Sequence, residues 1–250
     1  MKAILLAAGQ GTRIRSAHGV CPKCLIRFDH TGWTILDQQI EALFQADVED
    51  IGIVVGYEKD QIMGHVMSNY RRFRDRFQFI ENPAFAETNN ICSLWMARAW
   101  LKGSGFAVLN ADVAFDERIL PPALSSSAPI TMIVDPAWRD ETMKVVIAGG
   151  RIVRMSKQIS RDDFSATYVG ITVVHAAATG RLFSRIEELI CGGERQVFFN
   201  AAVQRLADEG LYVAYSETGG LPWAEIDDPG DLSFARLNVF PQLARMPAAA

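Results

Sequence analysis

The first 25 residues constrain the chain most. Lys2 to Ala7 is a short apolar run without alternation, as expected of a strand covered on both faces of a parallel sheet. It leads directly into Ala8-Gly9-Gln10-Gly11-Thr12-Arg13. Gly9 and Gly11 remove two Cβ atoms where the chain turns, so backbone N–H groups can close on an anion. Arg13 and, after Pro22, Lys23 set two cations beside that cradle: a planar fork for phosphate oxygens and a mobile point charge. A polyphosphate fits such a loop. The dinucleotide-binding fingerprint requires a third glycine where Ile14 stands, and the P-loop requires Gly-Lys-Ser/Thr, which is absent. The bland alternative is an ordinary strand-to-helix turn with stray basic residues.

The 250 residues can bury one large core, or one core with a small subdomain. Hydrophobic residues at 49% and charged residues at 22% describe an ordinary globular protein, and the net charge of −4 with no basic block argues against a nucleic-acid partner. An anionic substrate must therefore be met locally. No apolar run reaches membrane-spanning length and nothing reads as a signal peptide, so neither a membrane nor an exported location is expected, and the protein is expected to be cytoplasmic. Cys21-Pro22-Lys23-Cys24 is formally a C-x-x-C, but no second pair or His cluster completes a zinc site and no thioredoxin-like helix opens there. Lys23 beside these thiols can still lower their pKa and make them oxidisable.

Along the chain, Leu25 to Phe28 reads as short and extended, ending in the turn Asp29-His30-Thr31-Gly32. Thr34 can cap the helix bearing Ile35, Ile40, Leu43 and Phe44. Strands are expected at 51–55 and 77–80, with a helix over 58–72 between them in which His65 is packed. Arg71, Arg72, Arg74 and Arg76 form a solvated helix end. This β, α, β, α, β order predicts a parallel, Rossmann-like α/β sheet wound by helices through right-handed crossovers, with ligands beyond the carboxyl ends of the strands. A helix from about Thr88 to Leu101 follows, in which Asn89 or Asn90 is either an N-cap or, with Ser93, a set of donors and acceptors for a base or ribose. A fourth strand at 106–109 delivers Asn110-Ala111-Asp112. Asp112 then sits at the mouth of the site, where a hard oxygen suits Mg²⁺ bound to phosphates, unless it is merely a turn residue.

After Pro121-Pro122 the pattern turns β-rich: a strand at 130–134, a hairpin of 143–147 with 152–155 around Gly149-Gly150, and a strand at 167–174. Helices are expected at 177–190 and 196–208, then a strand at 211–215. Asp228-Pro229 opens the last helix with Asp228 as its cap, which leaves Asp227 free to point elsewhere. Residues 1–240 are expected to form one domain, with 1–128 the nucleotide-binding half and 129–240 a smaller acceptor-binding half. The tail 241–250 is expected to be poorly ordered.

Leu6-Ala7-Ala8-Gly9-x-Gly11-Thr12-Arg13 followed by Pro22-Lys23-x-Leu25 resembles the signature of nucleotidyltransferases that make sugar nucleotides and CDP-alcohols. Asn89-Asn90-x-x-Ser93-Leu94 resembles the phosphocholine and phosphonate cytidylyltransferase branch of that family. The resemblance implies the nucleotide-diphospho-sugar transferase fold and a reaction in which an acceptor's phosphate or phosphonate oxygen attacks the α-phosphorus of an NTP, with CTP the implied donor. It implies Arg13 and Lys23 as the catalytic cations and a nucleotide site of Leu6, Ala7, Ala8, Gly9, Gly11, Thr12, Asn89, Asn90, Ser93 and Asp112. The aromatic-x-x-Ile-Asp pattern at 223–227 implies Asp227 as a second Mg²⁺ ligand beside Asp112. Lys157, and more weakly Lys144, would hold the acceptor's phosphate. Asn200 stands where many relatives carry a carboxylate, which puts that role in doubt. Trp95, Trp138 and Trp223 can form a cation–π cage for a quaternary ammonium, or can pack in the core and cover a sugar. Trp138 and Trp223 are carried as acceptor-binding candidates. A sugar-1-phosphate or inositol-1-phosphate nucleotidyltransferase, a non-catalytic nucleotide-binding module and a glycosyltransferase-like domain remain as alternatives, and a homodimer stays open.

Overall fold

The computed structural model describes residues 1–14, 19–28, 32–48 and 50–243. Its strands are β1 (Lys2–Ala7), β2 (Asp50–Val55), β3 (Phe77–Glu81), β4 (Phe106–Asn110), β5 (Val113–Phe115), β6 (Ile130–Asp135), β7 (Lys144–Ala148), β8 (Arg151–Ser156), β9 (Ala166–Val174), β10 (Val213–Glu217) and β11 (Trp223–Glu225). The main sheet runs β10-β6-β9-β4-β1-β2-β3. β1 pairs in parallel with both β2 and β4, and β3 extends the parallel set, as the short βαβ connections require. β9 enters antiparallel between β4 and β6, and the β7–β8 hairpin pairs onto its end. All nine residues of β9 are buried, in keeping with a strand covered on both faces.

The helices are α1 (Ile35–Gln45), α2 (Lys59–Asn69), α3 (Asn90–Met96), α4 (Arg98–Leu101), α5 (Leu120–Leu124), α6 (Ala176–Cys191), α7 (Asn200–Asp208), α8 (Pro229–Asn238) and α9 (Phe240–Leu243). Thr34 caps α1 through a reciprocal capping box with Asp37. His65 is packed, its Nε2 2.8 Å from Asp37 Oδ1. Two hydrophobic clusters cover the two faces of the sheet. A third joins α8 and α9 to Ile14, Ile26, Phe28 and Ile35, with Phe28 stacked on Phe240 at 4.0 Å. It fastens the C-terminal helices to the chain just beyond the glycine loop. Among the described residues no helix is long and apolar enough to cross a membrane.

Several local expectations give way to tertiary contacts. Leu25, expected to open the extended stretch to Phe28, instead closes a 3₁₀ turn over 23–25, while Ile26 is extended: Pro22 presets φ, and its carbonyl accepts from Leu25 N at 2.9 Å. Asp29, His30 and Thr31 of the expected turn lie outside the described residues. The helix expected over 58–72 ends at Asn69, and Arg71–Arg76 form a 3₁₀ segment of exposed residues. The helix expected to reach Leu101 breaks at Ala97, where Arg98 folds back, its guanidinium 4.2 Å from the Trp95 ring and bonded to the Trp95 carbonyl at 3.1 Å. α7 begins at Asn200 because Asn90 Oδ1 takes the Phe199 N–H at 2.9 Å. Pro121 and Pro122 sit in the first turn of α5, where missing N–H groups cost nothing. Within the expected tail, Pro241 to Leu243 continue the helix from Phe240, whose ring is buried with Leu243. Residues 244–250 lie outside the described residues.

Candidate active site

The carboxyl ends of β1 and β4, the start of α3, the end of β8 and the segment after β11 surround a cavity of about 200 Å³. Its wall includes Leu6, Ala8, Gly9 and Arg13 from the glycine loop, Asn89, Asn90 and Ser93 from α3, Asp112, Lys157, Glu225 and Asp227. A smaller recess beside it is lined by Ala7, Gly11, Lys23 and Asp112. Gly11 has φ +57°, and a Cβ there would stand 2.8 Å from Lys23 Cγ. Glycine is needed both for the backbone conformation and for the passage of the lysine stem.

Lys23 Nζ lies 2.6 Å from Asp227 Oδ1 and 3.4 Å from Asp112 Oδ2. The two carboxylate oxygens share one nitrogen, so they stand at most 6.0 Å apart, the sum of those distances. Arg13 NH2 reaches Asp227 Oδ2 at 2.9 Å, and its NH1 reaches Glu141 Oε2 at 3.5 Å. The short β5–β11 ribbon produces this convergence: Glu225 pairs with Val113, and Ile226 N donates to the Asp112 carbonyl at 3.0 Å. Asp231 Oδ2 accepts from the Asp227 and Asp228 amides, while Asp228 Oδ1 caps α8. Asp228 is thus the cap, and the Asp227 side chain is turned to the basic anchors.

Burial pushes the Asp112 carboxyl above its ordinary range against the pull of Lys23, with Asp227 adding to the rise. Burial works against charge on Asp227 too, but Lys23, then Arg13 and Lys157, outweigh it and hold that carboxyl low. Burial likewise opposes charge on Lys23, yet Asp112 and Asp227 prevail and raise it. Glu225, which the sequence reading passed over, is pushed up to about 8 by burial and by Asp112 and Asp227. Its alternation with Asp227 on either side of buried Ile226 is the signal that could have marked it.

The buried glutamines Gln38 and Gln39 of α1 also went unread. Gln39 Nε2 donates to the carbonyls of Asn110 at 2.9 Å and Val113 at 2.7 Å, on either side of Asp112, and Gln38 bonds both backbone groups of Phe115. Two adjacent amides on an apolar helix face were the available signal.

Other candidates are placed differently from expectation. Asn89 is the N-cap of α3, its Oδ1 accepting from Asn90 N at 2.7 Å, and Ser93 Oγ accepts from Asn82 Nδ2 at 3.1 Å. These groups line the cavity while part of their hydrogen-bonding capacity is used internally. Thr12 lies in the 3₁₀ turn Thr12–Ile14 and is not on the wall of either recess. Lys144 is buried, with Nζ 3.2 Å from the Thr142 carbonyl and 4.6 Å from the Trp138 ring, and is likewise off the wall. Asn200 is buried away from both recesses. The tryptophans form no cage: Trp95 carries Arg98, Trp138 carries Lys144 and Arg161, and Trp223, 2% exposed, carries Arg139. Trp138 does line a second cavity of about 590 Å³, which shares Glu225 and Asp227 with the first. Lys23 does not activate the cysteines, because burial raises both thiols.

The residues fit a divalent cation. Two carboxylates face one point at which the Lys23 ammonium already sits as a cation. Among the described residues no group of three or more His, Cys, Asp or Glu side chains is arranged around an ion. One or two carboxylates completed by phosphate and water oxygens is the pattern of Mg²⁺, not of a fully protein-caged ion.

A family model for the MobA-like NTP transferase domain matches residues 3–199. Asp227 and Glu225 thus lie beyond the matched segment. The chain is 25% identical over 190 residues to a CTP:phosphoglutamine cytidylyltransferase of Campylobacter jejuni, covering 68% of this chain and 72% of that protein. It is 35% identical over 112 residues to a choline-phosphate cytidylyltransferase of Streptococcus pneumoniae, covering 45% of this chain and 44% of the relative. In fold it is similar to an inositol-1-phosphate CTP transferase from T. maritima, with a TM-score of 0.84 at 23% identity over 99% of this chain and 98% of that one.

Proposed function

The chain belongs to the MobA-like NTP transferase domain family, and from that premise we propose that it transfers CMP from CTP to a small phosphorylated alcohol or phosphonate, of the kind of phosphocholine or 2-aminoethylphosphonate, and releases pyrophosphate. The observation that carries this reading is the meeting of Arg13 and Lys23 with Asp112 and Asp227 at the mouth of the glycine loop. The choice of CTP is supported by the cytidylyltransferases among the relatives and by Asn89, Asn90 and Ser93 on the cavity wall.

Nucleotidyl transfer needs in-line placement and cancellation of charge more than covalent help from protein. Without a nucleotide, Arg13 and Lys23 neutralise the carboxylates. With a nucleotide bound, Arg13 and Lys23 would turn to its phosphates, the glycine loop would supply backbone donors, and Asp112 and Asp227 would be the residues to hold Mg²⁺. That ion, when bound, neutralises phosphate charge and fixes the geometry of the reacting oxygens. Lys157 stands on the wall facing Asp227 and is the candidate cation for the acceptor's phosphoryl group. The acceptor's remainder extends into the larger cavity across the shared wall of Glu225 and Asp227.

The test is a pyrophosphate-release screen over four NTPs and a panel of phosphorylated alcohols and phosphonates, with inositol-1-phosphate and a sugar-1-phosphate included. Release confined to CTP with a phosphorylated alcohol or phosphonate is expected. Release with sugar-1-phosphates alone, or with no acceptor, overturns the reading.

A further inference from the structure

The larger cavity holds a cation that the proposed chemistry does not use. The Arg139 guanidinium lines it, its Cζ 4.0 Å from the centre of the Trp223 ring and 5.8 Å from that of Phe234. Its one hydrogen bond among the described residues goes from NH2 to the Trp223 carbonyl at 3.4 Å, and no carboxylate there comes within ion-pair distance. Asp135, Asp231 and Glu225 act on the Arg139 charge through space, and Asp140, Glu141, Asp227 and Asp228 line the same cavity, but several of these acids are engaged elsewhere. Asp135 accepts from Ala137 N through Oδ1 and from Thr218 Oγ1 and Trp223 Nε1 through Oδ2. Asp231 holds the Asp227 and Asp228 amides, and Asp140 holds Trp138 Nε1.

The shelf under Arg139 is built. Asp135 anchors Trp223 from below, Thr167 Oγ1 fixes the Ala137 carbonyl at 2.8 Å, and Thr142 Oγ1 donates to the Arg139 carbonyl at 3.0 Å. A guanidinium held over an aromatic ring, with most of its N–H donors unspent, can offer a planar fork to an oxyanion.

Resting on the transferase reading, we propose that Arg139 is a specificity-determining residue which binds a carboxylate at the end of the acceptor remote from its reacting phosphoryl group. The acceptor is then a phosphorylated or phosphonylated compound that also carries a carboxylate. Its phosphoryl group lies at the shared wall near Lys157 and Asp227, and its carboxylate lies on the Arg139–Trp223 shelf.

The experiment compares kcat/KM for pyrophosphate release from CTP with O-phosphoserine, O-phosphoethanolamine and phosphocholine. The first two differ by a single carboxylate. The wild-type protein is expected to favour O-phosphoserine over O-phosphoethanolamine by about tenfold or more, as for one charge-assisted contact. Arg139→Gln should bring that ratio toward one, chiefly through KM for O-phosphoserine, and Arg139→Lys should restore part of it. A wild-type ratio at or below one overturns the proposal and leaves the transferase reading standing. So does an equal loss on both acceptors in Arg139→Gln, which would place the arginine on the phosphoryl group or in the framework. No release with any acceptor overturns both.

Discussion

Lys23 and Asp227, 204 residues apart in sequence, meet with Nζ and Oδ1 separated by 2.6 Å. Asp112 Oδ2 is held on the same nitrogen at 3.4 Å. One ammonium occupies the position toward which both carboxylates converge. On the proposed reading the lysine and a divalent cation would compete for one place, and the nucleotide's phosphates would give the displaced lysine somewhere to go.

Lys23→Ala should accordingly have two opposite effects. Transfer should fall about ten- to a hundredfold through the lost phosphate contact. Mg²⁺ binding without nucleotide, measured by calorimetry, should tighten because the competing ammonium is gone. Arg13→Ala should show the first effect with a smaller second one, since Arg13 touches Asp227 alone of the pair and is half exposed. Unchanged Mg²⁺ affinity in Lys23→Ala would sink the competition model.

Asp112→Asn and Asp227→Asn should each abolish turnover, and the double variant should be scarcely worse than either single. Each should also weaken Mg²⁺-dependent nucleotide binding more than metal-free binding. Strictly additive losses in kcat/KM would show that the two carboxylates act separately.

Gln39 holds the backbone on both sides of Asp112, so its loss should displace that carboxylate. Gln39→Leu leaves two buried carbonyls unpaired and should cost about 1–3 kcal/mol of stability. At saturating nucleotide, its dependence on Mg²⁺ concentration should also move upward. A stability loss with an unmoved Mg²⁺ titration would reduce Gln39 to a framework residue.

Asp37 provides a pH test remote from the site. Burial opposes its charge, but His65 and the Thr34 cap outweigh that and keep its pKa low. The unfolded chain takes up this proton before the folded one, so the stabilisation is complete above the unfolded value near 3.8 and is lost as pH falls through the lower folded value. Asp37→Asn should therefore cost about 1 kcal/mol or more at pH 7, and the gap from wild type should close below about pH 4. Urea unfolding at the two pH values measures it. A gap that persists in acid would mean that the hydrogen bonds matter and the charge does not.

The local features of this protein are legible in its sequence because their causes are local. β1 announces itself by an unbroken apolar run, the glycine loop by Gly9 and Gly11 with Arg13 and Lys23 in order, and the caps at Thr34 and Asp228 by residue type and spacing. Asp112 follows from standing just past a buried strand. The pairing of Asp227 with Asp112 could be reached only by resemblance to relatives. The tertiary structure brings them together through β5 and β11, three residues each, too short for any periodic signal. It also decided what each polar side chain is free to do. Gln38 and Gln39 look like surface residues of a helix until α1 is laid against the β4–β5 turn. The tryptophans look like a ligand cage until Lys144, Arg161 and Arg139 are found on two of their rings. A side chain's type and spacing are written in the chain, whereas its partner across the fold is set by which strands lie side by side, and that order, β10-β6-β9-β4-β1-β2-β3, exists only once the sheet has formed.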